Sequence, residues 1–194
     1  MGPSDRILVW RLRKGDGEAC KELIRRHHER VHGYLRRLGA DPSSAEDLTQ
    51  EAYARAWRSI RTLRESASLR SWLLAIARNE FLQWKRAEGP EVTGELPEGE
   101  DPGPGAEGAA ARSERDNLLR RAVARLDPAL QEVVALHYFQ DLSLKEAADV
   151  LGVPAGTAKS RLNRALECLR AMLEGGKETD HERQGAEEAV AGHP

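Results

Sequence analysis

The chain has 194 residues, enough for one domain or two small ones, and its hydrophobic fraction of 40% predicts a packed core. The small number of aromatic residues argues against a β-sandwich, and two widely spaced cysteines argue against a disulfide scaffold. We find no signal peptide and no run of about 18 apolar residues, which argues against membrane insertion. We therefore expect a cytoplasmic protein, whose net charge of −2 gives no overall sign of a nucleic-acid partner.

The charge is distributed unevenly along the chain, and this changes that conclusion. Residues 1–87 carry a net charge of +7, and residues 112–173 carry +2. Residues 88–111 contribute −7 with no basic residue, and residues 174–194 contribute −4. Two basic blocks are thus separated and followed by acidic segments, so each basic block is suited to meet a phosphate backbone.

Apolar residues at helical spacing predict four helices in the first block. The first helix spans about residues 5–14, and the second spans about residues 18–38. Cys20 and Cys168 each fall within an apolar helical pattern and are expected to be reduced, buried thiols. The side chains expected on the inner face of the second helix are Cys20, Leu23, Ile24, His27, Val31, Tyr34, Leu35 and Leu38.

The third helix is predicted to open at Asp41-Pro42-Ser43, and Ser43 and Glu46 have the spacing of a capping box. A loop over residues 61–68 leads to a fourth helix over residues 69–86. The expected buried stripe of the third helix is Ala45, Leu48, Ala52, Ala56 and Ile60, opposite Asp47, Gln50, Glu51, Arg55 and Arg58. The fourth helix is expected to bury Trp72, Leu73, Ile76 and Ala77 and to display Arg70, Arg78, Asn79, Gln83, Lys85 and Arg86.

Composition divides the chain into four segments. Residues 88–113 form a linker rich in Gly, Pro and Glu that buries too little apolar surface to fold, and residues 175–194 form a disordered acidic tail. Residues 1–87 and 114–174 are the two domains, the second with helices near residues 114–126 and 128–139. The predicted fold is therefore all-α, with two small helical domains joined by a flexible acidic linker.

Residues 142–173 have the pattern of a helix-turn-helix. Ser143 and Glu146 form a capping-box pair, and Gly152 supplies the positive φ that ends the first helix. The second helix is expected to bury Ala158, Leu162, Ala165, Leu166, Leu169 and Leu173. It leaves Lys159, Ser160, Asn163 and Arg164 outward, and such a helix fits the major groove, where these side chains donate hydrogen bonds to base edges.

Three segments in this order resemble one protein family: AEDLTQEAYARAW at residues 45–57, SLRSWLLAIARNEFLQWKR at residues 68–86, and residues 126–170. Together they resemble the bacterial sigma factors of the sigma-70 family, and within it the small extracytoplasmic-function group. The resemblance implies a sigma factor that binds core RNA polymerase and directs promoter-specific transcription initiation. The first domain would bind the polymerase clamp and the −10 element, and the second would bind the −35 element.

The resemblance also implies a role for each polar face. The core polymerase contacts would be Asp47, Gln50 and Glu51. The −10 DNA contacts would be Trp72, Arg78, Asn79, Gln83, Lys85 and Arg86, beside a loop at residues 62–68 that receives a flipped base. The −35 DNA contacts would be Thr157, Lys159, Ser160, Asn163 and Arg164, with the hydroxyl and free backbone N–H groups at Thr157 placed for a phosphate. The implied partners are core RNA polymerase, promoter DNA and an anti-sigma factor.

Other interpretations of the residues stay open. His28 and His32 are spaced i,i+4, but a metal site needs three or four ligands. Without a phosphate loop, a nucleophile elbow or paired carboxylates, we expect no enzyme, no catalytic residue, and no cofactor or metal. The alternatives are a one-component helix-turn-helix regulator that acts without polymerase and a helical adaptor that binds only a protein. Binding to core RNA polymerase discriminates, because only a sigma factor requires it.

Overall fold

The computed structural model describes residues 2–64, 68–88, 118–119 and 121–190, the side chains beyond Glu174 excepted. All regular secondary structure in this part of the chain is helical, which confirms the all-α class. The helices are α1 (Pro3–Arg13), α2 (Gly17–Arg37), α3 (Pro42–Ser59), α4 (Leu69–Glu88), α5 (Pro128–Val134), α6 (Leu144–Leu151) and α7 (Ala155–Val190). A 3-10 turn at Ile60–Thr62 follows α3, and a π-helical turn at Ala135–Phe139 follows α5.

Helix α3 starts in the predicted segment Asp41-Pro42-Ser43, but its cap is not the predicted capping box. Asp41, not Ser43, caps the helix: its carboxylate accepts hydrogen bonds from the backbone N–H groups of Ser43 at 3.0 Å and Ser44 at 3.2 Å. Pro42 occupies the first helical position, where a missing N–H costs nothing. The predicted capping box is wrong because an aspartate followed by proline already starts the helix two residues earlier.

Helices α1 to α4 belong to a compact unit that comprises Met1–Gly99 and Glu132–Lys159. Within it α2, α3 and α4 pack on one another, and α1 packs on α2 and on the 3-10 turn. Burial confirms the stripe predicted for α3. The largest fully buried side chains of these helices and the turn after α3 are Leu8, Tyr34, Leu35, Leu63, Leu69, Leu73 and Leu74.

Four side chains of the inner face predicted for the second helix are less buried than predicted, and two of them, His27 and Leu38, are half-buried. Ile24 is 36% exposed, and Cys20 is half-buried rather than buried. Ala19 and Leu23 supply the inner contact at this end of the helix instead. Helical periodicity identifies a wide apolar stripe but does not show which edge of the stripe faces the core. Residues at both edges were therefore predicted to be buried. Cys168 is likewise half-buried.

The same compact unit contains part of the carboxy-terminal block. Helix α6 packs on α4, and the π-helical turn packs on α2 and on α6. The second unit comprises Glu100–Gln131 and Ser160–Pro194. Residues 132–159 therefore group with α1 to α4, whereas the sequence pattern assigns them to a separate domain over residues 114–174.

Helix α7 is longer than predicted. It continues to Val190, so residues 175–190 are helical where the sequence predicted a disordered tail. Nine of the 16 residues 175–190 are Glu, Lys, Arg, Gln or Ala, which are strong helix formers, and three are helix-disfavouring glycines. Extension of α7 is helped because an existing helix propagates more easily than a new one nucleates. Residues 191–194 and the predicted linker beyond residue 88 lie outside the described residues. No helix in the described part combines the length and apolar character needed to cross a membrane.

Candidate polymerase and nucleic-acid interfaces

The outer face of α3 carries Asp47, Gln50 and Glu51, and all three side chains are exposed. The residues on the opposite side of the helix are buried and pack in the core. There the buried Thr49 hydroxyl donates to the carbonyl of Ala45 at 2.6 Å, within the buried stripe. The three polar side chains therefore lie outside the core and are exposed on the surface of the helix.

An open groove of about 600 Å³ adjoins this face of α3. Trp57 on its wall is 37% exposed, and an exposed indole beside polar side chains is typical of a protein–protein interface. The groove was not predicted from the sequence, although Trp57 lies off the buried stripe of α3 and could have indicated it. The groove is lined mainly by Cys20, Ile24 and His28 of α2 and by Gln50, Tyr53 and Trp57 of α3.

The two histidines considered for metal binding lie beside this groove. The rings of His28 and His32 stack with centroids 5.9 Å apart, and Nε2 of His28 lies 3.7 Å from a carboxylate oxygen of Glu46. Among the described residues, no three side chains of ligand type come together as a metal site would require.

The predicted nucleic-acid face of α4 is partly exposed. Asn79, Gln83 and Arg86 are exposed, and Trp72 is half-buried, between its predicted core role and a surface role. Nζ of Lys85 lies 6.0 Å from the centroid of the Phe81 ring. The face therefore offers amide groups, a cation and part of an indole, which are the groups that bind unstacked bases and their phosphates.

Glu80 of α4 is a structural residue that the sequence analysis did not single out. It is 8% exposed and forms an ion pair with Arg55, which was predicted only as part of the outer face of α3. The pair joins α3 to α4 and so fixes the α3 and α4 faces relative to each other.

Arg78 is not displayed in the way the sequence predicted. Both Nε and Nη2 of its guanidinium donate to the carboxylate of Glu132, the second at 3.1 Å, and the two side chains are only 18% and 12% exposed. Burial disfavours the charge of Arg78, but the hydrogen bonds and the charge of Glu132 outweigh this and hold the pKa of Arg78 above its usual value. Helical periodicity could not find a partner 54 residues away.

The turn of the helix-turn-helix follows the predicted chemistry. The N–H of Ser143 donates to the Glu146 carboxylate at 3.0 Å, and the N–H of Glu146 donates to the Ser143 hydroxyl oxygen at 3.3 Å, which confirms the capping box. Gly152 ends α6 with a φ of +68°, and the N–H of Val153 donates to the carbonyl of Ala148 at 3.1 Å. Local hydrogen bonds thus define where α6 starts and stops.

We expect Ser143→Ala to lower the free energy of unfolding by about 1 kcal/mol at neutral pH, because it removes a helix cap. Burial disfavours the charge of Glu146, but the bonds from Ser143 outweigh it and hold the pKa of Glu146 below its usual value. The stabilisation from the Ser143–Glu146 capping box is therefore present above the ordinary pKa of a glutamate, about 4.3. It is lost as the pH falls through the lower pKa that Glu146 has in the folded state. Urea unfolding at pH 7 and pH 3.5 measures it, with Ser4→Ala on the exposed side of α1 as control. A destabilisation independent of pH would contradict the role given to Glu146.

The start of α7 carries the residues predicted to meet the −35 element. Lys159, Ser160, Asn163 and Arg164 are exposed, and Thr157 is half-buried. The N–H of Thr157 donates to the carbonyl of Pro154 at 2.9 Å, so it is not one of the free N–H groups predicted at the start of this helix. The inner stripe is confirmed at Ala158, Leu162, Ala165 and Leu169, although Leu166 is half-buried and Leu173 is 36% exposed.

Arg164 also lines an open groove of about 530 Å³ in the second compact unit. Arg125 and Arg161 line the same groove, together with apolar residues that include Leu126 and Met172. Three guanidinium groups and one carboxylate, that of Asp127, line the groove, which leaves an excess of positive charge beside the exposed face of α7. The sequence analysis did not single out Arg125, because nothing in its local pattern shows that it reaches α7.

Comparisons with known proteins agree with this arrangement. Residues 23–90 match the Sigma-70 region 2 family, and residues 116–169 match the Sigma-70 region 4 family. The chain is 32% identical over 159 residues to the ECF RNA polymerase sigma factor RpoE of Cereibacter sphaeroides, covering 81% of this chain and 88% of that protein. It is 27% identical over 180 residues to the ECF sigma factor SigW of Bacillus subtilis, covering 85% and 94%.

A solved structure gives the same fold. The sigma factor RpoE of Bartonella quintana, crystallised with the anti-sigma factor NepR, has a TM-score of 0.61 and 27% identity to this chain, covering 79% of this chain and 96% of that one. The chain therefore belongs to the sigma-70 family, in the extracytoplasmic-function (ECF) group of RNA polymerase sigma factors. It acts in promoter-directed initiation of transcription through RNA polymerase, as the resemblance in the sequence implied.

Proposed function

We propose that this sigma factor uses three helix faces for three tasks. The outer face of α3 binds core RNA polymerase, α4 contacts the opened −10 strand, and the start of α7 binds the −35 duplex. The segments that carry these tasks are residues 1–87 and 114–174, which contain most of the two matched regions, although residues 132–159 pack in one compact unit with α1 to α4. The protein acts in the cytoplasm, where polymerase and promoters are. The observation that carries the proposal is that each face lies opposite a buried stripe and falls inside a matched sigma-70 region.

The chemistry of α4 suits a single strand better than a duplex. Asn79 and Gln83 present amide groups one helical turn apart, and amides pair with the edges of unstacked bases. Lys85 and Arg86 follow at the end of the helix, where they meet phosphates. Trp72 is half-buried, so one part of its indole packs and the other is left to a base.

The start of α7 suits the major groove of duplex DNA. Asn163 and Arg164 project from one side of the helix, and their side chains match the acceptors and donors on purine edges. Lys159 and Ser160 lie one turn earlier, and the Thr157 hydroxyl lies at the helix start beside the path of a phosphate backbone. Arg125 and Arg161 add positive charge next to Arg164.

An anti-sigma protein is the proposed regulator. The Bartonella quintana relative was solved in complex with an anti-sigma factor. The groove between α2 and α3 in this chain offers apolar surface beside the polymerase face, which an inhibitor could cover in competition with polymerase. Affinity purification of the chain from its own cells, before and after stress, tests this. Recovery of polymerase alone under every condition would contradict it.

We expect the purified chain to bind core RNA polymerase tightly and duplex promoter DNA weakly when alone. Its basic surface is divided between two small blocks, and the acidic segments repel phosphates. Co-purification with core enzyme and gel-shift titration at a stated salt concentration measure the two affinities. Tight binding to the promoter without polymerase, with no gain on adding core enzyme, would favour the one-component regulator instead.

A further inference from the structure

We propose that the free protein covers part of its −10-binding helix with a latch, the side chains and backbone of residues 132–142, and that the latch must open before a DNA strand reaches Arg78. The proposal rests on the −10 role proposed for α4. It concerns the first compact unit, in which the π-helical turn packs on α2 and α6, and α6 packs on α4.

The strongest contact of the latch is the ion pair of Glu132 with Arg78. It is bidentate, and both side chains are largely shielded from solvent. The fully buried Tyr34 of α2 lies beside the same carboxylate: burial raises the pKa of Tyr34 well above its usual value, and the charge of Glu132 adds to this. The carboxylate of Glu132 is thus held between α2 and α4.

Three further contacts join the latch to α2 and α4. Gln140 is 2% exposed, and its amide donates to the carbonyl of Arg30 at 3.1 Å. Nη2 of Arg70 donates to the carbonyl of Asp141 at 3.0 Å. The guanidinium carbon of Arg37 lies 4.6 Å from the centroid of the Phe139 ring. Two of these contacts occupy the guanidinium groups of Arg70 and Arg37, which phosphates would otherwise attract, whereas Arg30 contributes only its backbone carbonyl.

The backbone of the latch is strained. Residues 135–139 form a π-helical turn, a rare element that is frequent at functional sites. Asp141 has a φ of +49°, and it is the one non-glycine residue with positive φ in the described part of the chain. Such conformations persist only when surrounding contacts hold them. When the contacts of the latch break, its backbone can relax, and this relaxation favours opening. A segment under strain and held by polar contacts is suited to open when a partner competes for α4.

A DNA strand cannot use Arg78 while the latch is closed. Two N–H donors of the Arg78 guanidinium are already hydrogen-bonded to Glu132. The carboxylate of Glu132 also occupies the position that a phosphate oxygen would need. The sequence alone gives no reason for Glu132 to matter, because it lies in α5, away from every predicted contact residue.

The test uses the full-length protein with Glu132→Gln, which removes the charge and keeps the shape. Asp149→Asn is the matched control, since Asp149 is an exposed acid on α6 in the same unit. The probe is a fluorescein-labelled, mixed-sequence single strand of about 12 nucleotides, within the range of known single-strand sites. Anisotropy gives its affinity, and hydrogen exchange gives the protection of residues 132–142 and of α4.

We expect Glu132→Gln to bind the strand about tenfold more tightly than wild type, because a charged pair no longer competes with it. Amide exchange should quicken in the latch and along α4 but not in α1 or α3. The single variant Glu132→Arg should lose protection from amide exchange in the latch and α4. The double variant Arg78→Glu with Glu132→Arg, which swaps the two charges, should regain that protection. Unchanged exchange and affinity in Glu132→Gln, equal to the control, would overturn the latch.

The same set of variants separates the latch from the proposed function. If Glu132→Gln opens the latch but Arg78→Ala has no effect on promoter opening by the holoenzyme, the −10 role of Arg78 is wrong and the latch stands. If Arg78→Ala impairs promoter opening and Glu132→Gln changes nothing, the latch is wrong and the −10 role stands.

Discussion

Replacing Asp47, Gln50 and Glu51 together with alanine is expected to weaken binding to core RNA polymerase by roughly a hundredfold, at about 1 kcal/mol for each lost polar contact. The three side chains are exposed and lie opposite the buried stripe of α3, so the variant should keep its helicity and melting temperature. Fluorescence titration of labelled sigma with core enzyme measures the affinity. Circular dichroism checks the fold.

A charge-matched control is needed, because the triple change removes two acidic groups. Glu29→Ala with Asp149→Ala removes two exposed acids elsewhere in the same compact unit. This control should bind core enzyme like the wild type. If the triple variant and the control have the same affinity, the α3 face is an ordinary solvated surface and polymerase binds elsewhere. The groove beside Trp57 would then be the next surface to test.

Arg164→Ala is expected to cost about 1–3 kcal/mol at promoters with a good −35 element and to relax the preference at one base position. The side chain is exposed at the start of α7, and an arginine that meets a guanine edge makes two hydrogen bonds that no other base pair accepts equally well. A series of single-base −35 substitutions, transcribed by the variant holoenzyme, gives the profile.

Thr157→Ala provides the contrast. We expect it to weaken all promoters about equally, since a phosphate contact carries no sequence information. Arg125→Ala is expected to behave like Thr157→Ala and also to lower the salt slope by about one unit, because one ionic phosphate contact is lost. If Arg164→Ala lowers every promoter equally with an unchanged base preference, Arg164 is a phosphate contact and another residue reads that position.

Local patterns predicted those parts of the fold that local chemistry determines. The capping box of α6 and the positive φ at Gly152 involve residues within a few positions of each other, and both are confirmed. The stripe of α3 is confirmed because a helix buried on one face repeats every 3.6 residues. The opening of α3 at Asp41-Pro42-Ser43 is confirmed, but the capping box of Ser43 with Glu46 is wrong because Asp41 caps the helix first.

The sequence could not predict features that depend on distant residues. Arg78 looks like an exposed cation on a basic helix, and only the fold brings Glu132 to it. Ile24 looks like a core residue, and only the arrangement of α2 against α3 leaves it at the edge of a groove. The grouping of residues 132–159 with α1 to α4 also depends on tertiary contacts that no periodicity encodes.

The central claim is that this chain directs core RNA polymerase to promoters through both duplex and single-strand contacts. Multi-round transcription of a random promoter library by purified core enzyme, with and without the chain, tests it most directly. We expect transcripts only when the chain is present, from templates that share two motifs at a fixed spacing, one upstream and one at the site of opening. Transcripts without any shared motif, or none at all from an enzyme that the chain demonstrably binds, would contradict the claim.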